Sequence, residues 1–161
     1  MIQSCNKFKA LLEVLWLPFV LCSIIGIDKG VFSAEELFTM FKLTIRTSFA
    51  AAHNLMNYQG DCENLHGHNW KVDVAVIARE LDKAGLGIDF KVLKREAGAI
   101  INELDHKYLN DNPAFREVSP SSEHISKYLY QRISERLNND NIKVDSITVW
   151  ESDNASACYY E

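Results

Sequence analysis

Cysteine, proline and glycine are all scarce in this chain, with 4, 3 and 7 among 161 residues. So little glycine and proline excludes collagen-like and low-complexity chains. The cysteines stand at 5, 22, 62 and 158 with no CxxC pair. That excludes a disulfide-dense secreted scaffold and makes free thiols in a reducing, cytoplasmic setting the expectation. Positive charge is also in deficit: 17 Lys+Arg against 22 Asp+Glu leave a net charge of -5. There is no global field to attract nucleic acid or an anionic membrane, so an anionic ligand needs a local site. At 47% hydrophobic and 24% charged residues the chain is not a disordered one, and its length suits one domain.

A membrane-length hydrophobic run is missing too. Residues 14–27 carry no charge, but a span needs roughly 20 apolar residues, and Pro18 interrupts this one. No stable membrane association is expected. The run has the length of a signal-peptide core, with Lys7 and Lys9 before it and Val31 and Ser33 ahead of a cleavage position. The preferred reading is that residues 1–39 are an N-terminal extension outside the fold, a mis-called start codon included. Met40 stands immediately before the first clear strand. A signal peptide or weak anchor, and an accessory helix, are the alternatives.

What is present begins at Met40. Phe41, Leu43, Ile45 and Phe49 share one side of an alternating segment, and so do Trp70, Val72, Val74 and Val76. Both read as half-buried strands, and the polar stretch Asn54–Leu65 between them suggests an antiparallel hairpin. A turn at Gly85 and Gly87 leads to Asp89, a helix N-cap. Phe90, Leu93, Ala97, Ile100 and Leu104 then fall at helical spacing, with Gly98 a weak point inside. Asp105–Asn112 reads as a loop. Pro120 and Ser121 open a second helix with Ile125, Leu129, Ile133 and Leu137 on one face, and Asn138–Asn141 end it. Ile142–Trp150 reads as a third strand, bulged near Ser146 where the apolar parity changes. Ala155–Tyr160 reads as a short fourth. The order ββααββ predicts an α+β fold, a four-stranded antiparallel sheet with two helices on one face.

His66-Gly67-His68 is the sharpest local feature. Alternation puts both histidines on one side, in phase with Trp70 and Val72. Continuing the first strand puts His53 in phase with Phe49, so three imidazoles can meet where the hairpin strands flank their loop. Three neutral imidazoles with an open fourth position make a catalytic zinc site. Cys62 precedes His66 by four residues. Its spacing suits a fourth ligand as well as a thiolate nucleophile or base, or an ordinary loop cysteine. Asp105-His106 has the make-up of a proton relay if the carboxylate orients the ring. Glu151, at the end of the third strand, can clamp a planar edge that offers two parallel N–H donors.

Taken in order, Phe49-Ala-Ala-Ala-His53, Cys62-x-x-x-His66-Gly-His68, Gly85-x-Gly-x-Asp89-Phe90, Leu104-Asp-His106, Leu109-Asn110, Pro120-Ser-Ser-Glu123 and Trp150-Glu151 resemble the 6-pyruvoyl-tetrahydropterin synthase and 6-carboxytetrahydropterin synthase (QueD) family. The resemblance spans Met40 to Glu161. Three residues between Cys62 and His66 are similar to the carboxy-forming members. The family's usual Pro-Thr-x-Glu-Asn is Pro120-Ser-Ser-Glu-His124 here, and its usual Glu-Thr is Glu151-Ser152.

The resemblance implies the tunnelling fold, with sheets assembled into barrels and active sites between subunits. It therefore implies a homo-oligomer, with a hexamer built from trimers as the expected form. It implies Zn2+ on His53, His66 and His68, and Cys62 as the thiolate that takes a proton from the substrate side chain. His106 oriented by Asp105 would relay protons, and Glu151 would bind the pterin. The implied reaction converts 7,8-dihydroneopterin triphosphate to 6-carboxy-5,6,7,8-tetrahydropterin with release of triphosphate and acetaldehyde, a step toward queuosine. The alternatives are a pyruvoyl-type triphosphate elimination and a non-catalytic pterin- or metal-binding module.

Overall fold

The computed structural model describes residues 40–161. The expectations for residues 1–39 lie outside the described residues. Two long strands dominate: β1 (Phe41–His53) and β2 (His66–Ala78). They pair antiparallel without a break, from Phe41 opposite Ala78 to His53 opposite His66. Ile45, Phe49, Ala51 and His53 are buried along one face of β1, and Trp70, Val72, Val74, Val76 and Ala78 along the same face of β2. Both strands run four residues further toward the connecting loop than the apolar alternation alone predicts. Ala50–Ala52 and Gly67 are small enough to continue the ladder, which satisfies their backbone groups.

Helix α1 (Phe90–Ile101) starts where Asp89 caps it, its carboxylate accepting from the Lys91 N–H at 2.7 Å. Leu93, Ala97 and Ile100 are buried as predicted, and Leu104 is buried in the turn beyond the helix end. Phe90 departs from that stripe and is 48% exposed. Helical side chains lean toward the N-terminus, and a first-position residue has no preceding turn to lie on. Helix α2 (Ser122–Leu137) is capped by Ser121 and buries Ile125, Leu129, Ile133 and Leu137 together with Tyr130. Both helices share one hydrophobic core with the buried face of the sheet.

The sheet has five strands, not the expected four: β3 (Lys107–Tyr108), β4 (Ile142–Ser152) and β5 (Ala155–Tyr159) join the hairpin in the order β3-β1-β2-β4-β5. The additional one, β3 (Lys107–Tyr108), pairs parallel with β1 at Ala51 and Ala52. It lies inside the segment expected to be loop. Two residues are too few to show an alternation, so only tertiary pairing creates this strand. β4 (Ile142–Ser152) and β5 (Ala155–Tyr159) complete the sheet antiparallel. Ala75 faces Ser146 while Val76 faces Val144, so Asp145 is the extra residue of a bulge at the predicted place. Among the described residues no helix is long and apolar enough to cross a membrane.

Candidate metal centre

The register of β1 and β2 brings the histidines together. His53 lies directly opposite His66, and His68 opposite Ala51, all on the buried face. The rings meet edge to face: His53 and His66 centroids are 4.5 Å apart, His66 and His68 4.9 Å, His53 and His68 5.2 Å. Trp70, fully buried, forms the floor, its centroid 5.0 Å from both His53 and His68. His53 is itself only 1% exposed.

Two backbone carbonyls set the tautomers. His53 Nδ1 is 2.8 Å from the Pro120 carbonyl, and His66 Nδ1 is 2.7 Å from the Asn64 carbonyl. A carbonyl only accepts, so each Nδ1 carries the proton and each Nε2 of a neutral ring presents a lone pair. Yet these two Nε2 atoms face each other at 3.0 Å. Two lone pairs at that distance repel unless a cation lies between them. His68 Nε2 is buried without a hydrogen-bond partner, its nearest acidic atom being Glu151 Oε1 at 3.4 Å. Burial pushes the His53 and His68 pKa values down, outweighing the Pro120 carbonyl at His53 and the Glu151 carboxylate at His68, which act the other way. Both rings are thereby kept neutral, the form that ligates a metal.

His53, His66, His68 and Glu151 each offer one donor atom, and those atoms all lie within 4.8 Å of one another. Imidazole nitrogens bound to zinc at about 2.0–2.1 Å in a tetrahedron stand roughly 3.3 Å apart. The His53 and His66 Nε2 atoms at 3.0 Å, and His68 Nε2 and Glu151 Oε1 at 3.4 Å, lie near that spacing, and no two of the four donor atoms are more than 4.8 Å apart. The donor set therefore fits a divalent ion.

A family model described as 6-pyruvoyl tetrahydropterin synthase matches residues 42–161. The chain belongs to this family. The 6-carboxy-5,6,7,8-tetrahydropterin synthase of Synechocystis sp. is 38% identical over 93 residues, covering 55% of this chain and 70% of that protein. The dihydroneopterin monophosphate aldolase of Pyrococcus furiosus is 34% identical over 113 residues, covering 68% and 89%. The solved 6-pyruvoyl tetrahydropterin synthase of Caenorhabditis elegans superposes with a TM-score of 0.69 at 23% identity, covering 76% of this chain and 96% of that one.

In this pterin synthase family member the remaining predicted residues stand apart from the metal cluster. Cys62 is half-buried in a short 3-10 turn, Asp61–Glu63, and its carbonyl accepts from the Leu55 N–H at 2.9 Å. It is not one of the four clustered donors. The Asp105 and His106 side chains do meet, Oδ2 to Nδ1 at 2.9 Å, with His106 largely exposed. They are anchored on β1: Asp105 Oδ1 accepts from the Ala50 N–H at 2.8 Å, and the His106 N–H donates to the Ala50 carbonyl at 2.6 Å. These two bonds hold His106 in the left-handed region at φ 54°, a conformation that costs a non-glycine residue energy. The Ala50 N–H bond is the main reason the Asp105 pKa lies below the ordinary carboxylate range.

Glu151 falls within the donor cluster, whereas its position at a strand end suggested only a ligand clamp. The sequence reading also missed Ser122, whose hydroxyl donates to Glu151 Oε2 at 3.1 Å, and the two carbonyls that orient the rings. Backbone carbonyls leave no trace in a sequence. Ser122 had a usable signal, a hydroxyl in the first turn of a helix.

Proposed function

We propose that this chain is a zinc-dependent lyase that converts 7,8-dihydroneopterin triphosphate to 6-carboxy-5,6,7,8-tetrahydropterin, releasing triphosphate and acetaldehyde. The observation that carries the reading is the pair of facing Nε2 lone pairs on His53 and His66, which call for a cation. Membership of the pterin synthase family supplies the substrate class. The carboxy-forming relative at 38% identity supports that product over the pyruvoyl type.

His53, His66 and His68 would hold the zinc. Bound there, it supplies Lewis acidity to the oxygens of the substrate side chain. Cys62, as thiolate, takes the proton from the side-chain carbon. Glu151 accepts two hydrogen bonds from the ring N–H and exocyclic amine of the pterin. Asp105 holds the His106 ring through Nδ1 and leaves Nε2 free to relay protons. Because this pair is anchored on β1 outside the histidine cluster, a neighbouring subunit is the natural source of it for each site. β1 ahead of Ala51, where β3 does not pair with it, and β5 are the sheet margins that a homo-oligomer would cover.

The test is product analysis. Purified protein incubated with dihydroneopterin triphosphate should yield triphosphate and acetaldehyde together. Triphosphate without acetaldehyde would reject the carboxy-forming reaction, and neither product would leave a binding module. The Pyrococcus relative favours one further arm: turnover of the monophosphate alone would align the chain with that activity. Cys62→Ala should retain zinc and lose about 10²–10⁴-fold in turnover, the usual worth of a positioned base. Loss of stoichiometric zinc in that variant would make Cys62 a ligand instead.

A further inference from the structure

Cys62, on whose role as a base this inference rests, lies in a stretch that burial does not hold in place. Residues 56–61 and 63–65 are exposed, and the 3-10 turn Asp61–Glu63 buries no side chain. A base must stand within hydrogen-bond reach of the proton it takes, and a 1 Å misplacement costs about 10²-fold in rate. With no apolar packing beneath this loop, polar contacts have to fix it.

Those contacts fall on the first residues after β1. Lys107 and Tyr108 pair with Ala51 and Ala52. At Leu109–Asp111 the backbone leaves that ladder in a 3-10 turn, but the Asn110 side chain keeps the offset of 56 residues. Its Oδ1 accepts from the Asn54 N–H at 3.0 Å, and its Nδ2 donates to the Asn54 carbonyl at 3.0 Å. A side-chain amide, with donor and acceptor side by side, thus replaces a strand's peptide group. The Tyr108 hydroxyl donates to Asn54 Oδ1. The next residue, Leu55, donates its N–H to the Cys62 carbonyl at 2.9 Å. Met56 is gripped by the Ser119 hydroxyl, which accepts from its N–H at 2.8 Å and donates to its carbonyl at 3.3 Å. Ser119 adjoins Pro120, whose carbonyl orients His53, and His53 adjoins Asn54. One short series of bonds therefore ties Cys62 to the histidine cluster.

We propose that Asn110 and Ser119 are positioning residues for Cys62, clamping Asn54 and Met56 on either side of the Leu55 N–H that carries the cysteine. Both act through the backbone of residues 54–56. Asn110 needs both ends of its amide. An aspartate of the same shape would set a carboxylate oxygen against the Asn54 carbonyl, acceptor against acceptor.

The full chain is tested by two readouts. Alkylation with iodoacetamide, followed at the Cys62 peptide by mass spectrometry, needs neither metal nor substrate. Asn110→Asp and Asn110→Ala should be alkylated at Cys62 several-fold faster than the parent, because the half-buried thiol is released. Their kcat on dihydroneopterin triphosphate should fall about 10²-fold with KM and zinc stoichiometry unchanged. Ser119→Ala should move both rates the same way, and Ser119→Thr, which keeps the hydroxyl, should restore them. A thiol more open to alkylation yet poorer in turnover is the signature of lost positioning; a merely structural role would lower the melting temperature and leave both rates alone. Circular dichroism establishes that each variant is folded, and if the Asn110 variants do not fold, the Ser119 pair decides. Parent rates of alkylation and turnover in the folded variants would overturn the proposal. So would a fall in kcat matched by loss of zinc, which would place the effect on His53. Full turnover in Cys62→Ala would instead sink the base reading, and this inference with it, whatever the alkylation rates.

Discussion

One face of the β1–β2 hairpin carries two kinds of residue. Toward the Ala78 end it is entirely apolar: Val72, Val74 and Val76 are fully buried and Ile45 nearly so. Toward the loop the same face, at the same two-residue period, carries His68 and His66 opposite Ala51 and His53. The backbone treats the two halves alike, with one unbroken register. Only the side chains differ, and with them what burial does. Each buried valine adds about 1.5–3 kcal/mol of stability. Each buried imidazole instead loses solvation and leaves a lone pair in need of a partner. The strands thus use one rule of alternation to build a core at one end and a centre that recruits a cation at the other.

Trp70 is the boundary between the halves, so its loss should have the largest effect on both. It stacks on Phe49 at 6.0 Å on the core side and underlies His53 and His68 on the other. Trp70→Ala should cost about 3–5 kcal/mol in stability and also weaken zinc binding. Val74→Ala should cost roughly 1–3 kcal/mol, from the cost per buried methyl, and leave zinc affinity unchanged. Denaturant melts and zinc titrations on both variants separate the cases. A drop in zinc affinity for Val74→Ala matching that of Trp70→Ala would dissolve the distinction between the halves.

How much of this was legible in the sequence follows from the same physics. Alternation is local, so it located both strands and put His53, His66 and His68 in phase before any pairing was known. The Asp89 cap and the Asp145 bulge were equally local, one a side-chain to backbone bond two residues away, the other a change of parity. What escaped depends on contacts between distant segments. β3 exists because Lys107 and Tyr108 meet Ala51 and Ala52. The Pro120 carbonyl that orients His53 is 67 residues away in sequence. Glu151 reaches His68 from β4, two strands from β1, and nothing at a strand end announces that reach.

The opposite face of β2 offers a milder contrast. There Asp73 accepts from Arg46 Nε at 2.6 Å and Nη2 at 2.7 Å, and from Trp150 Nε1 at 3.0 Å. The Arg46 guanidinium is the chief cause that holds the Asp73 pKa below its ordinary value, against the opposing effect of burial. A carboxylate with a depressed folded pKa contributes stability above its unfolded pKa of about 3.9 and loses it as pH falls through the folded value. Asp73→Asn should therefore melt at a lower temperature than the parent near pH 7, with the gap closing below about pH 4. Its zinc affinity at pH 7 should match the parent's. A melting gap that persists undiminished at pH 2 would show that the ion pair is not its source.

The smallest effect expected is a gain, and it tests whether the scaffold can be strengthened without touching the histidine end. Gly98 sits inside α1, between the buried Ala97 and Ile100. A glycine there costs roughly 0.5–1 kcal/mol relative to alanine, because the unfolded chain gains more freedom than the helix returns. A close neighbour could justify the glycine, but a Cβ built at this position meets no atom within 4 Å. Its φ is not in the left-handed region, so no strain opposes the substitution either. Gly98→Ala should therefore raise stability by about 0.4–1 kcal/mol. The helix stiffens against the apolar half of the sheet, while the rings of His53, His66 and His68 are set by the carbonyls of Pro120 and Asn64 and by Trp70, none of which α1 carries. Zinc affinity should stay at the parent value while the melting temperature rises. A variant that gained stability and lost metal would mean that the two halves of the face are mechanically coupled through the helix, and that the glycine is retained for the sake of the centre.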